Sequence, residues 1–399
     1  MVSFFSFALA AIAILLAVPV FVFLVEVLAA VALPRRHGSI PPAKSTYGNV
    51  AVLVPAHNES VGLLPTLEDI KAQLRPTDRL LVVADNCTDD TGAMAAAAGA
   101  DVISRHDLER TGKGYALAWG LRHLEANPPD IVIVIDADCR LADALIAQLA
   151  VACAVTHRPV QALDLMMAPG NSPINSRVAE FAWRVKNWVR PLGLKALGLP
   201  CQLMGTGMAF PWDVIRSTEL ASGLIVEDLK LGLDLAIAGN APVFLPSACV
   251  TSEFPSSLEG TQSQRRRWEQ GHLGIILTMV PRLIARSIRQ SNLHLLILSL
   301  DLAVPPLSFL GMLVAAITVV AALTRPLGFS STPILVSTAS FMAFIVGILL
   351  SWLKFGRDVL PANAILLIAP YIVRKLPLYG RILFKRSRSQ WIRSDRKKT

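Results

Sequence analysis

Acidic side chains recur through the middle of the chain in a fixed series. They are Asp85, Asp136 with Asp138, and Glu227 with Asp228. Carboxylates suit three tasks: they hold a divalent metal, accept hydrogen bonds from a nucleotide, or remove a proton. Each position alone carries little information, so the order of the series is what matters.

A run of glutamine, three arginines and tryptophan follows the carboxylates at 264–268. The guanidinium of Arg267 can bind a diphosphate as a forked donor, and Trp268 can lie under the apolar face of a sugar ring. Gln264 adds further hydrogen bonds. The alternative is a basic cluster that faces lipid headgroups.

Asp136 and Asp138 follow the apolar run V-I-V-I and are two residues apart. In an extended segment both side chains project to one face, where they repel each other unless a cation neutralises them. Mg²⁺ or Mn²⁺, held by these carboxylates and by substrate phosphates, would neutralise a departing nucleoside diphosphate.

Three further polar segments are candidates for donor binding. Glu59, in V-P-A-H-N-E, and Asp85, in A-D-N-C-T-D-D-T, follow predicted strands and offer acceptors to a nucleobase or ribose. A turn and helix cap is the alternative for the second segment. Lys113, in G-K-G, can meet a phosphate, although a solvated lysine is the default. His57 is interpreted as a hydrogen-bonding element without a catalytic role.

Glu227 and Asp228 precede a helical pattern, L-K-L-G-L-D-L. They would lie in the first helical turn, where the helix dipole stabilises negative charge. This position explains them structurally, and it also suits a general base that takes a proton from an acceptor hydroxyl.

Composition indicates a membrane protein. The chain has 399 residues, 53% of them apolar, and a formal net charge of +9. Much of the positive charge lies beside apolar segments, which favours anionic lipid over nucleic acid as the partner. The five cysteines are scattered without a CxxC pair, and a reduced, cytosolic setting fits them best. No zinc-ligand spacing and no GxxxxGK loop occurs.

Apolar segments of membrane length flank the acidic series. Phe4 to Leu33 predicts an uncleaved transmembrane helix, and two more are predicted at Leu293 to Leu323 and at Ile334 to Leu353. Arg35 and Arg36 directly follow the first segment, so the positive-inside rule places the next domain in the cytoplasm.

Two other segments favour the membrane surface. The pattern at 178–199 is typical of a helix in the headgroup region, with an ordinary domain-surface helix as the alternative, and 362–376 predicts an interfacial or re-entrant helix. Asp301, inside an apolar segment, should face protein or a water-filled cavity. It would line a path for an acceptor, or make a structural hydrogen bond near Pro305 and Pro306.

The region from Asn49 to about Ser257 alternates β-rich and amphipathic segments. Strands are predicted at Val50 to Pro55, Leu80 to Ala84 and Ile131 to Ile135, and a helix at Leu63 to Leu74. This alternation predicts a mostly parallel, Rossmann-like sheet with helices on both faces. Asp85 and Asp136 then fall at strand ends, where such sheets bind ligands.

Taken together, the motifs resemble membrane-bound family-two glycosyltransferases. The ordered set is V-P-A-H-N-E, A-D-N-C-T-D-D-T, G-K-G, D-A-D, G-T-G, V-E-D and Q-R-R-R-W, across roughly residues 49–272. The resemblance implies a GT-A fold and inverting, metal-dependent sugar transfer from a nucleoside diphosphate sugar. The family includes cellulose, chitin and hyaluronan synthases and many exopolysaccharide transferases.

The resemblance also implies roles for individual residues. Asp85 would contact the uridine of the donor, Asp136 the diphosphate and Asp138 the metal, with Glu59 and Lys113 also on the donor. Asp228 matches the catalytic base. The QxxRW signature places Arg267 on the donor diphosphate, while the acceptor would be bordered by Glu227, Gln264 and Trp268.

The resulting domain prediction has four parts. Residues 1–34 form a transmembrane helix, 35–290 a cytoplasmic GT-A domain with interfacial helices, 291–356 two transmembrane helices, and 357–399 an interfacial helix with a basic cytoplasmic tail. The protein is expected in a bacterial inner membrane, where it would use a UDP-sugar and a lipid-linked or glycan acceptor, alongside other polysaccharide assembly proteins.

Three alternatives remain open. A processive polysaccharide synthase is possible, but Met204 to Met208 departs from the Phe-Cys-Gly-Ser type of acceptor motif, and about three spans are few for an export channel. A sugar nucleotidyltransferase also uses paired aspartates, but the spans and Q-R-R-R-W argue against it. A non-catalytic assembly partner would not be expected to keep every carboxylate.

Overall fold

The structure is a computed structural model. It describes residues 2–33, 46–170, 172–221, 226–254 and 258–363, with residues 2–3 and 258–267 described by their backbone only. Two compact units are distinguished by their contacts. An α/β unit includes residues 46–169 and 199–271, and a helical unit includes residues 2–33, 170–198 and 272–363.

The strands in chain order are β1 Val50–Ala56, β2 Arg79–Asp85, β3 Asp101–Arg105, β4 Ile131–Val134, β5 Arg140–Leu141, β6 Val160–Met167, β7 Met208–Pro211 and β8 Val243–Glu253. The helices are α1 Val2–Ala32, α2 Leu64–Lys71, α3 Thr91–Ala97, α4 Lys113–Leu124, α5 Leu145–Thr156, α6 Ile174–Arg184, α7 Arg190–Ala196, α8 Trp212–Ile215, α9 Glu227–Ile237, α10 Leu258–Thr278, α11 Val280–Arg289, α12 Leu293–Leu302, α13 Leu307–Thr324 and α14 Thr332–Phe355.

One mixed sheet of eight strands forms the α/β unit, in the order β3-β2-β1-β4-β7-β6-β8-β5. The first four neighbours are parallel. Strand β7 is antiparallel to both β4 and β6, and β5 is antiparallel to β8. Strands β6 and β8 are parallel to each other and run in the same direction as β1–β4. The sheet is therefore mostly parallel, as predicted, but mixed, because β5 and β7 run in the opposite direction.

Both faces of the sheet are covered, as the alternation of elements predicts. Because successive strand residues point to opposite faces, Val52 and Val54 pack into one apolar core with α2 and α5. Ala51 and Leu53 pack into a second core with α4 and α9. The three predicted strands and the predicted helix correspond to β1, β2, β4 and α2, with small shifts at their ends.

The helical unit contains the three described helices that are long and apolar enough to cross a membrane, at Phe4–Ala32, Leu307–Leu327 and Thr332–Phe355. The predicted segment at 293–323 is not one helix. It is divided into α12 and α13 at Pro305 and Pro306, since proline cannot donate the backbone hydrogen bond that a continuous helix needs.

The predicted surface helix at 178–199 is divided between α6 and α7, which are joined by a π-helical turn at Val185–Val189. It belongs to the helical unit rather than to the α/β unit, which ends at residue 271. The predicted helix at 362–376 lies, from residue 364 onward, outside the described residues, as do Arg35, Arg36 and the basic tail.

A buried arginine joins three helices of the helical unit. The Arg190 Nε on α7 donates to Glu26 Oε2 on α1 at 2.6 Å. Its Nη2 donates to the carboxylate and, at 2.7 Å, to the carbonyl oxygen of Asp301 on α12. Asp301 thus faces protein, as expected, and its partner is Arg190 rather than a group freed by the prolines.

Removal of this arginine should destabilise the helical unit strongly. Arg190→Gln leaves two buried carboxylates without their cation, and breaking a buried pair in this way costs about 3–5 kcal/mol. Thermal unfolding of the purified protein should show a large drop in Tm. Arg325→Gln is the matched control, because Arg325 is an exposed arginine of the same helical unit. An equal drop for both variants would contradict the special role of Arg190.

Candidate active site

The candidate site lies at the carboxyl ends of the parallel strands. Strand β2 ends at Asp85, and β4 ends at Val134, two residues before Asp136. In open α/β sheets this edge carries the ligand, because the following loops converge there. The antiparallel β7 brings a further segment to it, since Met208 pairs with Val134.

Lys113 lies among the acidic groups at this edge. As the first residue of α4, it forms an ion pair with Asp136, and its Nζ donates to the carbonyl oxygen of Gly205 at 2.8 Å. Its side chain is 20% exposed. The default interpretation, a solvated lysine, is therefore wrong.

The Gly205-Thr206-Gly207 segment holds the backbone of the D-A-D loop. The Asp136 N–H donates to Thr206 Oγ1 at 3.0 Å. The carbonyl oxygen of Thr206 accepts a hydrogen bond from Gln161 Nε2 at 2.8 Å, which fixes the segment from the sheet side. Both glycines have positive φ, at 98° and 64°, which explains the residue type on each side of Thr206.

The same loop is braced from its other side. The buried Thr66 hydroxyl on α2 lies 2.8 Å from the carbonyl oxygen of Ala137 and 2.7 Å from that of Cys139. The two threonines, at 66 and 206, thus fix the backbone that presents Asp136 and Asp138.

Glu227 and Asp228 form the first turn of α9, as predicted. A Cβ atom added at Gly205 would lie 3.6 Å from Asp228 Oδ2 and 3.7 Å from Lys113 Nζ. Lys113 and Asp228 therefore border the same glycine. The start of α9 brings the third acidic motif to the first two.

The electrostatics of these groups are coupled. Burial raises the pKa of Glu227 to about 8, and the Asp228 carboxylate adds to this rise. Burial also raises the pKa of Asp136, which Asp138 and Asp228 increase further while Lys113 opposes them. Although burial lowers it, the neighbouring carboxylates raise the pKa of Lys113 overall. Excess negative charge therefore collects around one ammonium group.

Asp85 belongs to a second network at the ends of β2 and β3. Arg105 Nη1 donates to Asp85 Oδ1 at 2.6 Å, and the Arg105 Nη2 lies 3.2 Å from Asp107 Oδ2. The guanidinium also lies 5.4 Å from the centre of the Tyr115 ring. Burial raises the pKa of Asp85 even though Arg105 opposes that rise. Such a planar, charged and aromatic surface suits a nucleobase.

The predicted turn is present at Asp89 to Thr91, where the Thr91 N–H donates to Asp89 Oδ1, but Asp90, at the N-cap position of α3, makes no side-chain capping hydrogen bond. The Thr91 hydroxyl donates to Asp89 Oδ1 and accepts the backbone N–H groups of Glu59 and Ser60, at 2.8 and 2.9 Å. His57 Nδ1 lies 2.7 Å from the Asp85 carbonyl oxygen and must donate to it. These bonds support the interpretation of His57 as a hydrogen-bonding element and hold Glu59 near the strand ends.

The Q-R-R-R-W run lies on α10. The side chains of Gln264 and Arg267 lie outside the part of the chain that the structure describes, while Trp268 is half-buried. The structure thus brings together Lys113, Asp136, Asp138, Glu227 and Asp228, and it places Asp85 and Glu59 on neighbouring loops. The individual roles of all these residues stay predictions.

The carboxylate oxygens at this site partly meet the requirements of a divalent cation. Within the described ranges there is no group of three or more His, Cys, Asp or Glu side chains with metal-binding geometry. Asp136 and Asp138 nevertheless offer hard oxygen ligands in a site with excess negative charge. Mg²⁺ commonly binds one or two carboxylates and completes its coordination with substrate phosphates and water, so the aspartate pair fits such an ion.

Two residues that shape the candidate site, Arg105 and Thr206, were not predicted from the sequence. Arg105 was missed because β3 was not recognised; an arginine at the end of a strand would have been the signal. Thr206 was noted only within the G-T-G motif. Its hydroxyl reaches Asp136 because β7 is antiparallel, and the sequence pattern did not indicate this direction.

The part of the chain that carries this site is similar to known proteins. The family model described as "Glycosyltransferase like family 2" matches residues 48–271. The chain belongs to glycosyltransferase family 2. The predicted enzyme class is thereby confirmed at the level of the family, and the matched residues extend from just before β1 into α10.

Individual relatives match only parts of the chain. Glucosyl-3-phosphoglycerate synthase from Mycobacterium tuberculosis is 38% identical over 99 residues, covering 22% of this chain and 28% of that protein. The probable glycosyltransferase YdaM from Bacillus subtilis is 25% identical over 248 residues, covering 57% of this chain and 56% of that protein. The chain therefore spans about half of the Bacillus relative and less of the mycobacterial one.

A solved structure is similar over most of the chain. The mannosyltransferase from Pyrobaculum calidifontis, determined in complex with GDP-Man and Mn²⁺, has a TM-score of 0.55 and 16% identity. The match covers 95% of this chain and all of that one. At this identity the similarity shows the fold alone.

The Thr206 hydroxyl should be needed to position the D-A-D loop. In Thr206→Val the Asp136 N–H loses its acceptor while the side-chain shape is retained, at a cost of about 1–3 kcal/mol. We expect Mn²⁺-dependent binding of a nucleoside diphosphate, measured by titration calorimetry, to weaken about tenfold. Thr206→Ser keeps the hydroxyl and should bind normally. Equal affinities for the valine variant and the unmodified protein would exclude this positioning role.

Proposed function

We propose that the chain is an inverting, membrane-bound glycosyltransferase. It transfers a hexose from a nucleoside diphosphate sugar to a membrane-associated acceptor, in glycolipid or exopolysaccharide synthesis. The observation that carries this proposal is the grouping of Lys113 and Asp136 with the start of α9 at the strand ends. The grouping combines a cation for phosphate with carboxylates for metal and proton transfer.

Asp228 is the general base in this proposal. It removes the proton from the acceptor hydroxyl as that oxygen attacks the anomeric carbon, and the nucleoside diphosphate leaves from the opposite side. Its position in the first turn of α9 supports this role, because the helix dipole favours the ionised carboxylate. Glu227, whose pKa is raised to about 8, suits a hydrogen bond to the acceptor instead.

The donor diphosphate would lie between Lys113 and the D-A-D loop. Asp136 and Asp138 would hold Mg²⁺ or Mn²⁺, which supplies Lewis-acid stabilisation of the leaving diphosphate. Lys113 and Arg267 contribute further positive charge, and Lys113 is already oriented by the Gly205 carbonyl oxygen. Thr206 and Thr66 hold the loop in place before the donor binds.

The nucleoside would lie at the ends of β2 and β3. Asp85 accepts a hydrogen bond from the base, and Arg105 keeps that carboxylate oriented while leaving its second oxygen for the ligand. Glu59 borders the same pocket. Uracil has one ring N–H between two carbonyl oxygens, which suits the Asp85 carboxylate as acceptor and the Arg105 guanidinium as hydrogen-bond donor. UDP is therefore the proposed carrier.

The acceptor side would be formed by Gln264 and Trp268 of the QxxRW run, next to Glu227. Three candidate spans support a membrane location with the α/β unit in the cytoplasm. The positive residues that follow the first span, Arg35 and Arg36, support this orientation. Such a location favours an acceptor that is itself lipid-linked.

Donor turnover tests the proposal directly. Full-length protein in nanodiscs would be given a panel of sugar donors with membrane lipid extract, and nucleoside diphosphate release would be followed with and without Mn²⁺. We expect release from one donor, dependent on the metal. Asp228→Asn should reduce turnover about 10²–10⁴-fold, which is the usual contribution of a general base.

Asp234→Asn provides a matched control. Asp234 is a carboxylate on the same helix, two turns away, and it pairs with Lys230 at 2.5 Å. This variant should retain turnover, and both variants should retain nucleotide binding. Full turnover by Asp228→Asn would reject the assigned base. Release of pyrophosphate from a nucleoside triphosphate and a sugar 1-phosphate, supplied in place of the sugar donor, would identify a nucleotidyltransferase.

A further inference from the structure

The α11 helix has two chemically different faces. Val280, Leu283 and Ser287 are buried, and the helix packs against α12. At 100° per residue these positions share one side of the helix. The proposed active site uses none of these residues.

Three arginines occupy a different face of α11. Arg282, Arg286 and Arg289 follow the spacing i, i+4 and i+7, which places them in one row. All three are exposed. The ion pairs formed among the described residues include none of them. A row of free guanidinium groups is suited to phosphate oxygens, which they bind as forked donors.

The surrounding sequence lacks negative charge. Residues 270–300 contain no aspartate or glutamate, so the sequence directly on either side of the row offers no compensating carboxylate. The complementary partner of this face is therefore anionic. Because the row is about two helical turns long, it would contact several phosphate groups that lie in a layer.

Exposed aliphatic side chains lie in the same stretch of sequence as the arginines. Leu277 is 72% exposed, Ile288 67% and Leu293 60%. A small soluble anion offers nothing apolar to these side chains, whereas a bilayer has acyl chains directly beneath its phosphates. The candidate span Leu307–Leu327 begins within 20 residues of Arg289. Basic residues at this distance from a span face the cytoplasmic leaflet.

We propose that α11 is a binding surface for anionic phospholipid headgroups. Arg282, Arg286 and Arg289 contact the lipid phosphates, and Leu277, Ile288 and Leu293 enter the adjoining apolar layer. The proposal rests on the membrane location proposed above, but it does not depend on the transferase chemistry. Each arginine should contribute about fivefold to the preference for anionic lipid.

Lipid retention tests this surface. Full-length protein would be purified from nanodiscs that contain equal amounts of phosphatidylglycerol and phosphatidylcholine, and the retained lipids would be counted by native mass spectrometry. We expect phosphatidylglycerol to dominate. In the triple variant Arg282→Gln, Arg286→Gln, Arg289→Gln, the ratio of retained phosphatidylglycerol to phosphatidylcholine should fall at least tenfold.

A second triple variant controls for net charge. Arg122→Gln, Arg216→Gln, Arg325→Gln removes the same charge from exposed positions on other elements and should keep the lipid preference. An unchanged preference in the α11 variant would overturn the proposal. So would displacement of phosphatidylglycerol by inorganic phosphate at equal concentration, which would identify a site for soluble anions.

Two further readouts separate this proposal from the proposed function. Resistance of the protein to extraction from membranes by alkaline carbonate tests the spans alone. Donor turnover in the same nanodiscs tests the chemistry alone. The headgroup surface is supported if the α11 variant loses its lipid preference but keeps carbonate resistance and metal-dependent nucleotide binding. This conclusion does not depend on the rate of donor turnover. Extraction by carbonate would overturn both the membrane location and this surface.

Discussion

The arrangement of the candidate site depends on the need to balance several carboxylates that lie close together. Three acidic motifs from separate parts of the sequence converge at one edge of the sheet, and the Lys113 ammonium lies among them. Burial raises the pKa values of Glu227 and Asp136, and the neighbouring carboxylates raise them further because carboxylates this close disfavour one another's ionisation. A single lysine offsets this repulsion only in part. The site is therefore arranged to receive further positive charge.

The direction of one strand makes this convergence possible. If β7 were parallel to β4, its first residue would lie at the far end of the sheet. Because β7 is antiparallel, Met208 pairs with Val134, and the preceding Gly-Thr-Gly segment lies beside the D-A-D loop. The Thr206 hydroxyl and the Gly205 carbonyl oxygen then hold Asp136 and Lys113 respectively. The reversed direction of β7 is thus what brings these segments together.

Hydrophobic alternation and strand-end carboxylates made much of this arrangement predictable. The strands β1, β2 and β4, the position of Asp85 and Asp136, and the helical first turn at Glu227 and Asp228 all follow from local patterns. The mixed direction of the sheet could not be predicted, because strand direction is set by tertiary pairing that periodicity does not encode. Arg105 was missed for a related reason, since β3 is short and its exposed residues weaken the apolar signal.

The charge balance also explains why transfer should require a metal. A nucleoside diphosphate is itself anionic, so a cleft of carboxylates with one ammonium would repel it. Lys113 cannot serve the diphosphate fully while it also neutralises Asp136, because a lysine is one point charge with three donors. A divalent cation at Asp136 and Asp138 would take over that neutralisation and leave Lys113 free to contact the donor. On this argument the metal and the sugar donor bind together, and each makes the site electrostatically acceptable to the other.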